Sequence, residues 1–454
     1  MSGPRVAIVG GGLAGITAAL ECADAGALVT LYESRPRLGG ATFSFRRRGY
    51  VLDNGQHVAL RCCTAYRSLL ARLGVGDGLE VQPRLDVPVL APGRPPARLA
   101  RTALPAPLHL ASSLARYRHL SPAERVAAVR AVARLRSLDP EDRRLDGYTF
   151  GEWLRAQGQT THAIDALWNL ITRPTLNLGA DEASLQAAVF VFRTGLLDES
   201  DACDLAIPRI PLGELHGTPA ARALRDRQVE LRLRTRVRRV EPTDEGFHVR
   251  LPDGAEAVER VVVAVPHHAA PAILPPGIVA AGVAERLDTS PIVNVHLHYD
   301  RRVLPVLVAA VVDSPLQWLF DRTSSAGVAE GQLVSISLSA ATGEIDRSRD
   351  ELVRTARAAM AALFPQARSA ALHDGFVSRE PRATFRAAPG VAVLRPAART
   401  ALPGLALAGA WTDTGWPATM EGAVLSGLAA AAAVLSVPRR GAAPRPRRLV
   451  GAPT

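Results

Sequence analysis

The chain has 454 residues, 48% of them hydrophobic and 21% charged, which excludes general disorder and allows two or three domains with sizeable cores. Its formal net charge is +11, a balance that suits nucleic acid or an anionic membrane surface; no nucleic-acid module is recognisable, which favours the membrane. The sequence holds no lysine, so Schiff-base and every other lysine chemistry is excluded.

The first element is the apolar run Arg5-Val6-Ala7-Ile8-Val9, of strand length. Only Met1-Ser2-Gly3-Pro4 precede it, so no signal peptide is expected. Gly10, Gly12 and Gly15 follow at G-x-G-x-x-G spacing and open a helix near Leu13. Gly10 permits a tight turn, Gly12 lets backbone approach a pyrophosphate, and Gly15 lets the helix pack close to the strand. The helix N-terminus turns free amides and the positive dipole end toward phosphates. Gly26 ends that helix, and residues 27–32 read as a second strand. Glu33, 18 residues after Gly15, sits where a carboxylate accepts ribose hydroxyls, and Gly39-Gly40 follow after five more residues. A strand over 50–52 leads into Asp53-Asn54-Gly55-Gln56-His57. There Gly55 allows close approach to a flat ring, and its polar neighbours reach that ring's edge or a substrate; the same residues also read as a plain Asn-Gly turn.

Residues 66–203 read as mostly helical, with helices near 122–138, 149–157 and 163–171. Residues 104–120, apolar with Arg116, Tyr117 and Arg118, suit an interfacial helix or a buried core helix equally. Strands are expected at 204–208, 229–240 and 247–251, and 260–266 carries a buried parallel-strand signature. Further strands are expected at 292–299, 303–312 and 333–338, then a helix over 349–363, a strand over 405–408 and a helix from Met420. The Ala-rich stretch 423–437 is too short to span a bilayer. The tail 438–454, rich in arginine and broken by Pro444 and Pro446, is expected to be disordered. Cys22, Cys62, Cys63 and Cys203 include no C-x-x-C pair, so no metal site is expected and reduced thiols are the default.

The glycine triad, Glu33 and Gly39-Gly40 together resemble the FAD-dependent amine oxidase and phytoene desaturase superfamily, in which the second glycine pair continues along the bound FAD. Leu407-Ala408-Gly409-Ala410-Trp411-Thr412-Asp413-Thr414, with Pro417-Ala418-Thr419-Met420-Glu421-Gly422-Ala423, resembles its closing motif. The resemblance implies an α/β fold: a Rossmann-like FAD-binding domain from 1–65, 204–269 and 391–437, with an interleaved α+β substrate domain from 66–203 and 270–390. It implies FAD contacts from Gly10, Gly12, Leu13, Ala14, Gly15, Glu33, Ser34, Gly39, Gly40 and Ala41. Gly55, Gln56, His57, Val237, Gly409, Ala410, Thr419 and Met420 complete the expected set. Ala41 stands where the superfamily usually has arginine, and Ala410 where a carboxylate is expected, with Asp413 shifted by three. The missing lysine, and Thr419 where an aromatic usually precedes Met420-Glu421-Gly422-Ala423, both count against amine oxidation.

The centre of the chain is more specific. Trp168-Asn169-Leu170-Ile171, Pro174-Thr175-Leu176-Asn177, Glu182-Ala183-Ser184-Leu185 and Phe190-Val191-Phe192-Arg193-Thr194-Gly195-Leu196-Leu197 are similar to the hydroxysqualene dehydroxylases, as are Ile207-Pro208-Arg209-Ile210-Pro211 and Pro291-Ile292-Val293-Asn294-Val295-His296-Leu297. That resemblance implies that reduced FAD delivers hydride to hydroxysqualene, the hydroxyl leaves and squalene results, in a long apolar tunnel. Loss of hydroxide calls for an acid or a hydrogen-bond donor. His57 is the first candidate, followed by Gln56, Asp53 and Asn177, each equally readable as structural; His267, His268, His296 and His298 read as mostly structural. The implied setting is cytoplasmic, on the anionic inner face of the cytoplasmic membrane, among prenyl synthase-like enzymes of squalene and hopanoid synthesis, with no nucleic-acid partner. Two alternatives stay open: a phytoene-type desaturase running the opposite redox direction, and a flavin-less polyprenoid carrier suggested by Ala41 and Ala410.

Overall fold

A parallel sheet places the glycine-rich turn. In the computed structural model, which describes residues 3–437, five strands lie in the order Glu230–Arg232, Leu28–Tyr32, Arg5–Val9, Arg260–Val263 and Leu405–Leu407. All neighbours are parallel. Val6, Ile8, Val261, Val262 and Val263 are almost wholly buried, as expected for strands covered on both faces. The helix Leu13–Asp24 follows the first strand and packs against the helix Met420–Leu435. A Cβ added at Gly427 would sit 2.4 Å from the Ala14 carbonyl oxygen, so only glycine allows this crossing. The tail expected over 438–454 lies outside the described residues.

A second, seven-stranded sheet forms the other wall of the molecule. Its order is Leu372–Thr384, Ser290–Tyr299, Gln332–Ser339, Trp318–Asp321, Val308–Val311, Asp86–Ala91 and Arg94–Ala100. One face packs under the helix Arg349–Leu363 through Val293, Val295, Leu297, Val334, Ile336 and Leu338. The opposite face looks toward the parallel sheet's glycine-rich end.

Several expected elements differ. Residues 66–203 are not all helical: Asp86–Ala91 and Arg94–Ala100 form a hairpin that extends the second sheet. Pro95 and Pro96 hide it from a pattern reading, yet they fall on the sheet's outermost strand, where a missing N–H costs nothing. The run 229–240 is two strands, Glu230–Arg232 and Arg239–Thr243, in different sheets. Arg234, at φ 56°, breaks it, and the Thr235 N–H turns to the Glu33 carbonyl. Leu205–Pro208 pairs with Ala59–Leu60 and Leu79–Val81, outside the parallel sheet. Only Val308–Val311 of 303–312 is strand, because the Val303 and Leu304 N–H groups bond the Gln332 side-chain oxygen at 2.7 and 2.8 Å. Residues 104–120 are not one helix. A turn at Leu108–Leu110 meets the five-residue helix Ala111–Ala115, after which Tyr117 is buried and donates to the Ala166 carbonyl at 2.6 Å. Pro105 and Pro107 prevent an earlier helical start.

Candidate active site

Between the two sheets lies one continuous cavity of about 2160 Å³, well above the roughly 300–1,000 Å³ of ordinary ligand pockets. At one end it is lined by the glycine-rich turn. Gly10 has φ +109°, and a Cβ there would lie 2.3 Å from the Ala264 carbonyl. Gly15 packs so tightly that its Cβ would meet the Gly10 carbonyl at 1.9 Å; it faces the strand, not the cavity. Gly40, at φ +57°, lies against Gly12, and a Cβ on it would come 2.8 Å from the Gly12 Cα. The glycine-rich turn and the Gly39-Gly40 pair therefore share one cradle. The Glu33 carboxylate closes it, accepting from the Gly11 and Arg35 N–H groups, both at 2.7 Å, and from the Ser34 hydroxyl at 3.1 Å.

Gly12, Leu13, Ala14, Ser34, Gly39, Ala41, Gly55, Gln56, His57, Val237, Gly409, Ala410, Thr419 and Met420 also line this cavity. Gly10, Glu33 and Gly40 line it with them. Asp413 does not take the place of the carboxylate missing at Ala410: it lies near the surface, 3.6 Å from Arg143. The loop it belongs to is held instead by Arg395, which donates to the Ala410 and Trp416 carbonyls at 3.2 and 2.7 Å. Burial lowers the Arg395 guanidinium to about 10, with Asp413 opposing. Beside Ala41, Arg37 stacks on Phe43 at 3.6 Å and donates to the Gly40 carbonyl at 3.0 Å, itself lining the cavity.

The turn 53–57 is anchored by its neighbours. Asn54 donates to the Ala41 carbonyl at 2.8 Å and to Glu380 at 2.9 Å, tying the cradle loop to the second sheet. Asp53 points away from the cavity. It forms a buried ion pair with Arg322 at 2.8 Å and accepts from Ser44 and the Leu212 N–H at 2.6 and 2.9 Å. Asn177, in the left-handed region at φ 53°, touches the cavity, but both ends of its amide are committed. Its Nδ2 donates to the Ser290 carbonyl and Thr384, and its Oδ1 accepts from the Ala340 N–H. Gln56 and His57 do face the cavity. Burial pushes the His57 imidazole down to about 4, with Asp53 opposing and Arg322 adding to the shift. His267 and His268 line the cavity too, whereas His296 sits beneath it between Ser335 and Ser378 at 2.8 and 3.2 Å. Arg322 and Ser337 carry no local motif, and Asn294 lies within the 291–297 segment without standing out there; only the polar-apolar alternation of 292–298 and 333–339 hints at Asn294 and Ser337.

Away from the cradle the walls are apolar. They include Leu167, Leu170, Ile171, Phe190, Val191, Leu196, Trp318 and Phe320. The helical stretches here contain π turns at Ile164–Trp168 and Arg193–Leu197, a distortion often found at functional sites. The far mouth opens between Leu108 and Val129, which line the cavity and are each 55% exposed.

A Rossmann-like cradle opening into a long apolar chamber defines a flavin-dependent oxidoreductase. The chain belongs to the flavin containing amine oxidoreductase family, whose model matches residues 13–435. It is 28% identical to a hydroxysqualene dehydroxylase of Sinorhizobium fredii over 95% of this chain and 98% of that one. With a Rhodopseudomonas palustris hydroxysqualene dehydroxylase it shares 27% over 96% and 99%. A 15-cis-phytoene desaturase of Glycine max is 25% identical over 95% of this chain and 79% of its own length. In fold, a putrescine oxidase structure superposes with TM-score 0.71 at 20% identity, covering 95% of this chain and 99% of that one.

The cofactor is FAD, and the cradle fits it: side chains are excluded at Gly10 and Gly40, which leaves room for a pyrophosphate beside Gly12, and Glu33, at the end of the second strand, is the carboxylate that would accept from ribose hydroxyls. Met420–Leu435 turns its N-terminus to the cavity through Thr419 and Met420, where its dipole favours negative charge on a bound ring. FAD supplies two-electron hydride chemistry when bound. Family membership sets aside the flavin-less carrier, and the absence of lysine still argues against amine oxidation.

Proposed function

We propose that this protein reductively removes the hydroxyl of hydroxysqualene to give squalene. One observation carries the reading: away from the cradle the chamber is walled by Leu167, Leu170, Ile171, Phe190, Val191, Leu196, Trp318 and Phe320, and Gln56, His57, Asn294 and Ser337 line it where the turn 54–57 meets the second sheet. That matches a long hydrocarbon with a single polar substituent. The two hydroxysqualene dehydroxylase relatives support it. The reaction places on carbon a hydride that reduced FAD would supply, and on the departing oxygen a proton that would come from solvent, so that the oxygen leaves as water. His57 is neutral at pH 7, so it acts as a hydrogen-bond donor to that oxygen, not as a ready imidazolium. Asp53 and Asn177 position the turn and the sheet around it.

The chemically reduced holoenzyme, given hydroxysqualene without oxygen, is expected to form squalene, and His57→Ala to lower kcat by about 100-fold. Desaturation of phytoene by the oxidised protein, with no squalene from the reduced one, would replace this reading with the desaturase.

The mouth suits a bilayer. Leu104, Leu108, Val126 and Val129 are all at least half exposed, with Arg116, Arg118 and Arg130 exposed beside them. No helix among the described residues is long and apolar enough to cross a membrane, so the proposed association is peripheral, to anionic lipid. Flotation with anionic vesicles is expected for the native protein, and its loss for Leu108→Asp with Val129→Asp; equal flotation of both proteins contradicts this docking.

A further inference from the structure

The strands Ser290–Tyr299 and Gln332–Ser339 alternate between two faces. Val293, Val295, Leu297, Val334, Ile336 and Leu338 enter the core beneath the helix Arg349–Leu363. Asn294 and Ser337, paired directly across the strands, therefore turn to the cavity, and both line it. Asn294 is fully buried. Its Nδ2 donates to the Asn54 carbonyl at 3.2 Å, which fixes the amide's orientation because a carbonyl only accepts. Its Oδ1 is left without a donor. The Ser337 hydroxyl has no hydrogen-bond partner among the described residues. His57 reaches the same point: a Cβ on Gly55 would lie 3.4 Å from His57 Nε2 and 3.5 Å from Asn294 Nδ2.

We infer that Asn294 and Ser337 form a hydroxyl anchor that selects a polyprenoid alcohol over a polyprenoid hydrocarbon. The alcohol's O–H donates to Asn294 Oδ1, and its oxygen accepts from the Ser337 hydroxyl. A hydrocarbon leaves both groups dry and unpaired, a loss that sites built for a hydroxyl convert into strong discrimination. The identity of the alcohol rests on the proposed function; the preference itself does not depend on turnover.

The oxidised holoenzyme, which does not turn over, separates the two. Binding of hydroxysqualene and of squalene is read from the perturbed flavin absorbance. The native protein is expected to prefer the alcohol by roughly tenfold. Asn294→Leu is expected to bring the ratio near one with the unliganded flavin spectrum unchanged. Ser337→Ala, a smaller change that keeps the strand intact, is expected to lower the ratio about threefold. No preference in the native protein, or an unchanged ratio in Ser337→Ala and in folded Asn294→Leu, overturns the anchor. A native protein that prefers the alcohol yet yields no squalene when reduced leaves the anchor standing and removes the proposed reaction. Squalene formation with variants that keep the native ratio does the reverse.

Discussion

Asp53 serves the site without facing it. Its carboxylate and the Arg322 guanidinium are 6% and 8% exposed at 2.8 Å, and Arg322 also donates to the Pro208 carbonyl at 2.7 Å. Removing one partner strands a buried charge, so Arg322→Ala is expected to cost about 3–5 kcal/mol in urea unfolding. Gly40→Ala forces a side chain onto φ +57° and into Gly12; the purified protein is expected to lose most of its flavin absorbance while remaining folded. The sequence makes Gly40 legible because glycine reports on backbone, which is local. It does not make Arg322 legible, since that role depends on Asp53, 269 positions away. Long separation likewise kept Asn177 among the catalytic candidates, although its amide is spent on Ser290, Thr384 and Ala340, 113, 207 and 163 positions away.

Among elements, the helix Thr64–Arg72 has no side-chain cap of its own. Glu421, on the helix Met420–Leu435, caps it instead, accepting from the Ala65 and Tyr66 N–H groups at 2.9 and 2.7 Å. Burial raises the Glu421 carboxyl, while those two bonds oppose the shift. Glu421→Ala is expected to cost about 1–3 kcal/mol, seen as earlier thermal unfolding, with Glu421→Gln losing less because its carbonyl still accepts. Elements with strong periodicity and clear caps were readable from sequence: the helix Arg349–Leu363, with Ser348 capping it, falls where expected. The hairpin at 86–100 was not, because prolines mask its alternation and its pairing partner lies more than 200 residues away. The split at Arg234 was equally hidden, since a positive φ on arginine leaves no compositional trace.

At the scale of the whole molecule, three histidines are held neutral around the seam between the sheets. Burial lowers His57 and His296 to about 4 and His216 to about 3, with the His57 charge adding to the last shift and Arg322 to that of His296. An unfolded histidine protonates near pH 6.5. The folded values lie below that, so this stability is fully present above pH 6.5 and is lost as pH falls toward 4. Each histidine contributes a slope of up to about 1.4 kcal/mol per pH unit in that window. Melting temperature is expected to fall steeply between pH 6.5 and 4.5, and His296→Gln to flatten the slope; a flat profile contradicts the assignment. The glycine-rich cradle was legible in the sequence because Gly10, Gly12, Gly39 and Gly40 fall within one short stretch of chain. The substrate end was not, because it is assembled from strands joined only by the fold.

Leu108 and Val129 belong at once to the chamber wall and to the outer surface. In the docked arrangement proposed above, a hydrocarbon passing between them never meets bulk water. Turnover then obeys surface-dilution kinetics, following the mole fraction of substrate in the lipid and not its amount per volume. Inert lipid added at constant total substrate slows such an enzyme, even though nothing about the protein has changed.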